Sequence, residues 1–213
     1  MKDSFKHKGM RQQLVKTIKR KGIKDKNVLE AIGKVPRHLF MDSGFLDHAY
    51  QDKPFPIGAG QTISQPFTVA YQTELLKVKK GDKILEIGTG SGYQAAVLLE
   101  MGAKVYSIER QKELFKKTSK FLPKIGYQPK KLVFGDGYKG MPDEAPFDGI
   151  VVTAGAPFVP KPLLDQLKIG GRLVIPVGEA SQRMTLFIRK DENEFDKKEY
   201  DYFRFVPLLE DKN

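Results

Sequence analysis

This sequence predicts an α/β fold: a doubly wound, mostly parallel sheet with extra helices ahead of it and an antiparallel hairpin behind. Three observations point there. Strand-length apolar runs alternate with helical patterns from residue 83 to residue 177. The first run, Ile84-Leu85-Glu86-Ile87, enters the turn Gly88-Thr89-Gly90-Ser91-Gly92, and a helical pattern follows at once. The end of the chain changes to period-two alternation around a charged turn, Asp191-Glu192-Asn193-Glu194. Strand, glycine turn and helix in that order open a Rossmann-like sheet, which takes ligands at the carboxyl ends of its strands.

The elements follow in order. Residues 4–21 predict a basic amphipathic helix with Leu14, Val15 and Ile18 as its apolar stripe, ended by Gly22. A short helix over 26–34 carries Val28, Leu29 and Ile32, and Val35-Pro36-Arg37-His38-Leu39-Phe40 breaks it. Residues 41–65, with Pro54, Pro56, Gly58 and Gly60, predict an irregular stretch. A loop of that length is functional or disordered, and Phe45, Tyr50 and Phe55 speak against disorder. A helix begins after Ser64, with Pro66 in its first turn and Val69, Ala70, Leu75 and Leu76 as apolar positions.

After the Gly81-Asp82 turn come strands at 83–88, 104–109, 131–134, 147–153 and 171–177. Helices at 92–101, 111–121 and 160–167 separate all but the pair 131–134 and 147–153, and the alternation implies right-handed crossovers. Met184–Arg189 and Tyr200–Pro207 predict the closing hairpin. No repeat or linker divides the chain. The reading is a single domain, 1–213, with N-terminal helices and a substrate loop in 1–65 and the ligand-binding core in 66–213.

The bulk numbers narrow the classes. A chain of 213 residues, 40% hydrophobic and 30% charged, supports one sizeable core. No apolar run reaches the length of a membrane span, and no apolar segment follows the basic Met1–Lys8 stretch, so neither membrane nor signal peptide is expected. Zero cysteines exclude a disulfide framework and thiolate metal ligation; the expected location is cytoplasmic, with no metal site. The net charge of +11 comes mostly from lysine, with no run of arginines interleaved with aromatics. It reads as a solvated basic face that attracts anionic peptides, not as a nucleic-acid surface.

Four predicted strand ends converge on one sheet edge: Glu86-Ile87-Gly88, Glu109-Arg110, Gly135-Asp136-Gly137 and Thr153-Ala154-Gly155-Ala156. The third glycine of the turn is Gly92, and Tyr93 stands where a dinucleotide fingerprint needs glycine. That spacing fits S-adenosylmethionine (SAM) better than NAD. Glu109 is then placed for the ribose hydroxyls, Asp136 for the adenine amino group and the 88–92 backbone for the amino-acid half. Gly88, Gly90 and Glu86 complete the expected cofactor set, although Glu86 can equally be a structural carboxylate bonding loop amides.

A second constellation is Gln61-Thr62-Ile63-Ser64-Gln65-Pro66. Taken alone it is a turn with a serine helix cap. Together with Leu85-Glu86-Ile87-Gly88-Thr89-Gly90-Ser91-Gly92-Tyr93, Gly135-Asp136-Gly137, Ala145-Pro146-Phe147-Asp148, Ala154-Gly155-Ala156-Pro157, Gln166-Leu167-Lys168, Gly170–Gly178 and Val206-Pro207-Leu208, it resembles the protein-L-isoaspartate O-methyltransferase family. The likeness runs from the N-terminal helices to Leu209.

The resemblance implies a concrete activity. SAM methylates the free α-carboxylate of an isoaspartyl residue in a damaged protein, and the ester closes to a succinimide that partly hydrolyses to aspartate. It implies Ser64 as the active-site residue. It further implies Thr62, Ile63, Ser91, Glu109, Arg110, Asp136 and Gly137 along the cofactor, and Val206–Leu208 against the peptide. A C-terminal strand order unlike that of most SAM enzymes also belongs to it. The enzyme is expected to act as a monomer.

No catalytic base is required, because a carboxylate is already ionised near pH 7. Rate then depends on holding that oxygen in line with the methyl group, a task suited to a hydrogen bond from Ser64. His38 and His48 have no supporting Asp or Ser spacing and are given no catalytic role, and Tyr202, Phe203 and Phe205 read as packing. The alternatives are a nucleic-acid or small-molecule methyltransferase. Against the first, there is no cysteine nucleophile, and Thr153-Ala154-Gly155-Ala156-Pro157 stands in place of an Asn-Pro-Pro-Tyr-like loop. A non-catalytic SAM-binding module would show a spoiled glycine turn, and this one is intact.

Overall fold

The computed structural model describes residues 3–209; Met1, Lys2 and residues 210–213, the ends of the predicted domain, lie outside them. Helix α1 (Phe5–Arg20) starts at a capping box in which the Ser4 side chain accepts from the His7 amide. Helix α2 (Lys26–Lys34) starts at Asp25, whose carboxylate accepts from the amides of Asn27 and Val28. Its buried face, Val28, Leu29, Ala31 and Ile32, joins Leu14 and Ile18 of α1 in one apolar cluster.

The stretch expected to be irregular, 41–65, holds structure. A short 3₁₀ turn covers Ser43–His48, following another just ahead of the stretch at Arg37–Phe40. An antiparallel hairpin follows, β1 (Phe55–Gly58) and β2 (Gln61–Ile63). Its turn needs left-handed backbone at Gly58 (φ 95°), Ala59 (φ 50°) and Gly60 (φ 67°), which explains the two glycines. Helix α3 (Pro66–Leu76) comes next, with Pro66 in its first turn.

The main sheet is built from β3 (Lys83–Ile87), β4 (Lys104–Glu109), β5 (Lys131–Phe134), β6 (Phe147–Val152), β7 (Leu167–Val177), β8 (Gln182–Arg189) and β9 (Phe195–Phe203). Helices α4 (Tyr93–Glu100), α5 (Lys112–Lys124) and α6 (Lys161–Asp165) lie between strands. The strand order is β5-β4-β3-β6-β7-β8-β9. Strands β3 to β7 pair in parallel, and β8 and β9 add on antiparallel. The last three strands thus lie side by side in chain order, each returning beside the one before it.

Several boundaries differ from expectation, among them the starts of β7, at Leu167 and not 171, and of β8, at Gln182 and not Met184. Helix α6 is shorter than 160–167, because Gln166 and Leu167 already pair with Phe147 and draw the chain into β7. Helix α5 continues to Lys124, through Pro123. Strand β9 spans 195–203, not 200–207. After Phe195 it runs through four consecutive exposed charges, Asp196-Lys197-Lys198-Glu199, with Asp196 paired to Lys190 and Lys197 to Glu199, so this half carries no apolar signal.

Strand β3 is central and buried, with Ile84, Leu85 and Ile87 each 1% exposed or less. Two apolar clusters cover its faces, one around Ile87, Ile150 and Leu173, the other around Ile84, Val105 and Leu98. The carboxyl ends of β3, β4 and β6 therefore stand on one rigid edge. Among the described residues no helix is long and apolar enough to cross a membrane.

Candidate active site

A cavity opens at that edge. Its floor is the turn after β3, and the turn is held on every side. The amides of Gly88 and Thr89 donate to the Ile108 carbonyl, at 2.9 and 3.2 Å. The Thr153 hydroxyl, at the end of β6, lies 2.9 and 2.7 Å from the carbonyls of Ile87 and Gly88. A Cβ at Gly88 would sit 2.6 Å from that hydroxyl, so only glycine fits. Thr118 on α5 donates to the Gly90 carbonyl at 2.7 Å. At Gly92 (φ 85°), a Cβ would meet Leu122 of α5 at 2.8 Å. The first and third glycines are thus fixed by packing around the turn, and the chain between them faces the cavity.

Glu109 closes the end of β4. Its two carboxylate oxygens accept from the amides of Gly90 and Gln111, each at 2.7 Å. A carboxylate has about four acceptor positions, so two remain for a diol. Asp136 accepts from the Tyr138 amide at 2.9 Å, and its other oxygen lies 3.9 Å from Lys139 Nζ. Gly137, next to it, lines the cavity; Asp136 is set just behind. Arg110 and Ser91 line it too.

The roof comes from outside the sheet. Thr62, Ile63 and Ser64, on and just after β2, face the turn, and Val206–Leu208 cross from the other side. The crossing segment is clamped to the end of β6: Gly155 N donates to Val206 O at 2.8 Å and Leu208 N to Gly155 O at 2.7 Å. Ser64 does not cap α3. The cap residue is Gln65, with no side-chain bond to the helix, and among the described residues Ser64 Oγ has no hydrogen-bond partner. Its hydroxyl is left for the cavity.

One predicted cofactor residue stands elsewhere. Glu86 is fully buried behind the turn, out of the cavity wall. It accepts from Ser107 Oγ at 2.5 Å, and Ser107 Oγ lies 2.6 Å from Thr89 Oγ1. Burial, with the charge of Glu109 adding to it, pushes the Glu86 carboxyl up to about 8, against the Ser107 bond. The geometry is that of the structural alternative, though the contact runs to side-chain hydroxyls. The sequence puts Thr153 at one of the converging strand ends without a role, and it gives Thr118, Tyr93 and Gln94 no role at the site. For Thr153 a signal existed: it ends the strand that lies beside β3.

The histidines lie away from the cavity. His38 is buried, bonded to the Tyr50 hydroxyl at 2.7 Å and stacked on His7 at 3.8 Å, and burial pushes it down to about 4. His48 bonds to Gln51. Asp3, His7 and His38 do come within 4.8 Å of one another. Stacked rings, however, do not aim their lone pairs at one point, and Arg11 already grips both Asp3 oxygens.

The donor and acceptor set suits SAM. It offers a rigid glycine turn at a helix start, an acid with free lone pairs for a ribose, and a polar strand end for a base. The model of the protein-L-isoaspartate(D-aspartate) O-methyltransferase family matches residues 9–213.

This chain belongs to that family.

The protein-L-isoaspartate O-methyltransferase of Christiangramia forsetii is 71% identical over 213 residues, all of both chains. That of Flavobacterium psychrophilum is 70% identical, again over all of both. Among solved structures, one protein-L-isoaspartate O-methyltransferase superposes with a TM-score of 0.84 at 31% identity, covering 92% of this chain and 65% of that one. Another, from Plasmodium falciparum and in complex with S-adenosyl-L-homocysteine, gives 0.82 at 26% identity and covers 94% of this chain and 99% of that one. The methyltransferase fold and its SAM pocket therefore belong to this chain.

Proposed function

We infer that the protein is a SAM-dependent carboxyl methyltransferase that acts on the free α-carboxylate of L-isoaspartyl residues in damaged proteins and peptides. The observation that carries this reading is Ser64: its uncapped hydroxyl faces the glycine-turn cavity from a hairpin that the family resemblance marks as the acceptor site.

When bound, SAM supplies an activated methyl group whose departure leaves a neutral thioether. The chain's own residues do the rest. Glu109 would accept from the ribose hydroxyls with its remaining lone pairs, and Gly137, with Asp136 behind it, would receive the adenine end. Thr62, Ile63, Gly88, Gly90, Ser91 and Arg110 line the path between. Glu86 acts from behind, through Ser107 and Thr89. Ser64 donates to the incoming carboxylate and orients one oxygen toward the methyl group. No base is needed, since the acceptor arrives ionised. The clamped Val206–Leu208 segment holds the peptide against the mouth and keeps water out.

We treat 1–213 as one methyltransferase domain, because α1 and α2 share an apolar cluster with α4 and α5. The reading includes a monomer in the cytoplasm: this cysteine-free chain has no need of an oxidising compartment. Its partners are isoaspartyl proteins, not nucleic acid.

Mass spectrometry of an isoaspartyl peptide incubated with enzyme and SAM tests the reaction sequence. A methyl ester, then a succinimide, then a share of normal aspartyl peptide is the expected series. A methylated product stable to mild base would contradict it.

A further inference from the structure

The cavity at Ser64 continues into a second groove. Thr62, Ser64, Thr153 and Val206 line both. With the cofactor in the first, a peptide that brings its carboxylate to Ser64 would have the second to lie along. Lys21 and Phe67 form one wall of this groove, and the end of β9 with the turn after it forms the other.

The charges there are not equivalent. Lys21 is paired with Asp52 at 2.6 Å. Arg183, near the rim, donates to the Tyr202 hydroxyl at 2.7 Å, lies 3.3 Å from Glu199 and sits over the Tyr202 ring. Arg204 lines the groove, is exposed, and has no hydrogen bond or ion pair among the described residues. The backbone after it is pinned: Phe205 N donates to Gln182 Oε1 at 2.9 Å, and Val206 O accepts from Gly155 N at 2.8 Å. A fixed backbone thus presents an uncommitted guanidinium. Asp201 is the groove's acid, three residues upstream, so the groove is positive at one point and not throughout.

We propose that Arg204 reads an acidic side chain close to the isoaspartyl residue of the substrate peptide, and so sets sequence preference in the methyl transfer. The inference rests on the function proposed above. A guanidinium fork matches a carboxylate with two parallel N–H donors, which a lysine cannot do. The groove is open to water, which limits the effect to about 3- to 10-fold in kcat/KM. Asp201 confines it: an acid favoured beside Arg204 is disfavoured beside Asp201. The preference is therefore specific to one or two positions, whereas steering by the whole charge of +11 would reward an acid anywhere in the peptide.

The test scans Glu, Gln and Lys through the positions flanking isoaspartate in one synthetic peptide. The kcat/KM values are read for wild type, Arg204→Gln, Arg204→Glu and Lys80→Glu. Lys80 is exposed at the opposite edge of the sheet, ahead of β3, and its reversal changes the net charge equally. Wild type is expected to favour Glu over Lys by about 3- to 10-fold at one or two positions. Arg204→Gln should flatten that ratio and Arg204→Glu invert it, while Lys80→Glu preserves it. A wild type indifferent to charge, a ratio that survives Arg204→Glu, or an equal shift from Lys80→Glu would overturn the inference alone. Failure to methylate any isoaspartyl peptide would overturn the proposed function, and this inference with it.

Discussion

Asp52 does for Phe67 what a serine at the start of α3 would otherwise do: its carboxylate accepts the Phe67 amide at 2.8 Å, from fifteen residues away in the chain. The same carboxylate accepts from Gln65 Nε2 at 3.1 Å and pairs with Lys21 at 2.6 Å. A helix start held in this way leaves Ser64 free of structural duty, one residue before the cap.

Ser64→Ala should therefore separate catalysis from stability. Turnover on an isoaspartyl peptide is expected to fall about 10²-fold, the scale of a lost positioning contact. The melting temperature and the SAM dissociation constant should hold. Calorimetry and steady-state kinetics on the same preparation decide it; a lower melting temperature with full turnover would return Ser64 to a capping role.

Asp52→Ala should do the reverse. It strands the Phe67 amide and removes the partner of Lys21, and the expected loss is about 1–2 kcal/mol, that of a helix cap. Urea unfolding measures it. A midpoint equal to wild type would mean that water replaces the carboxylate without cost.

Glu86 gives a pH signature. Its folded value, about 8, lies above the ordinary 4.5, so the folded state holds the proton more tightly than the unfolded chain. Its contribution to stability is complete below pH 4.5 and is lost as the pH rises toward about 8. Glu86→Gln keeps the shape of the neutral acid and carries no titrating proton. The variant's melting temperature should gain on wild type across that window and level off above it. Parallel curves from pH 5 to 9 would show that the carboxyl ionises without penalty.

Glu109→Ala should weaken SAM binding at least tenfold, roughly the value of one hydrogen bond to a charged acceptor. It also releases the Gly90 amide and loosens the turn. Isothermal titration gives the constant, and an unchanged value would remove Glu109 from the ribose.

The fold and most of the site were legible because their signals are local. The glycine turn, the acid ending β4 and the Thr62-Ile63-Ser64 segment are contiguous in sequence, and the strand ends that carry them meet through ordinary parallel winding. What escaped was long-range or masked. Pro56 and two very short strands hid the β1–β2 hairpin. The charged edge of β9 hid its first half. Thr153 acts on Gly88 from sixty-five residues away. Glu86 illustrates the limit of reading an acid beside a glycine turn. Side chains along a strand alternate between faces, and motif order alone does not say whether a carboxylate meets the ligand or the core.

The most direct measurement is methyl transfer from labelled SAM to two peptides that differ at one residue, isoaspartate in one and aspartate in the other. Base-labile label on the isoaspartyl peptide alone is the predicted result. Equal labelling of both, or of neither while SAM still binds, would contradict it.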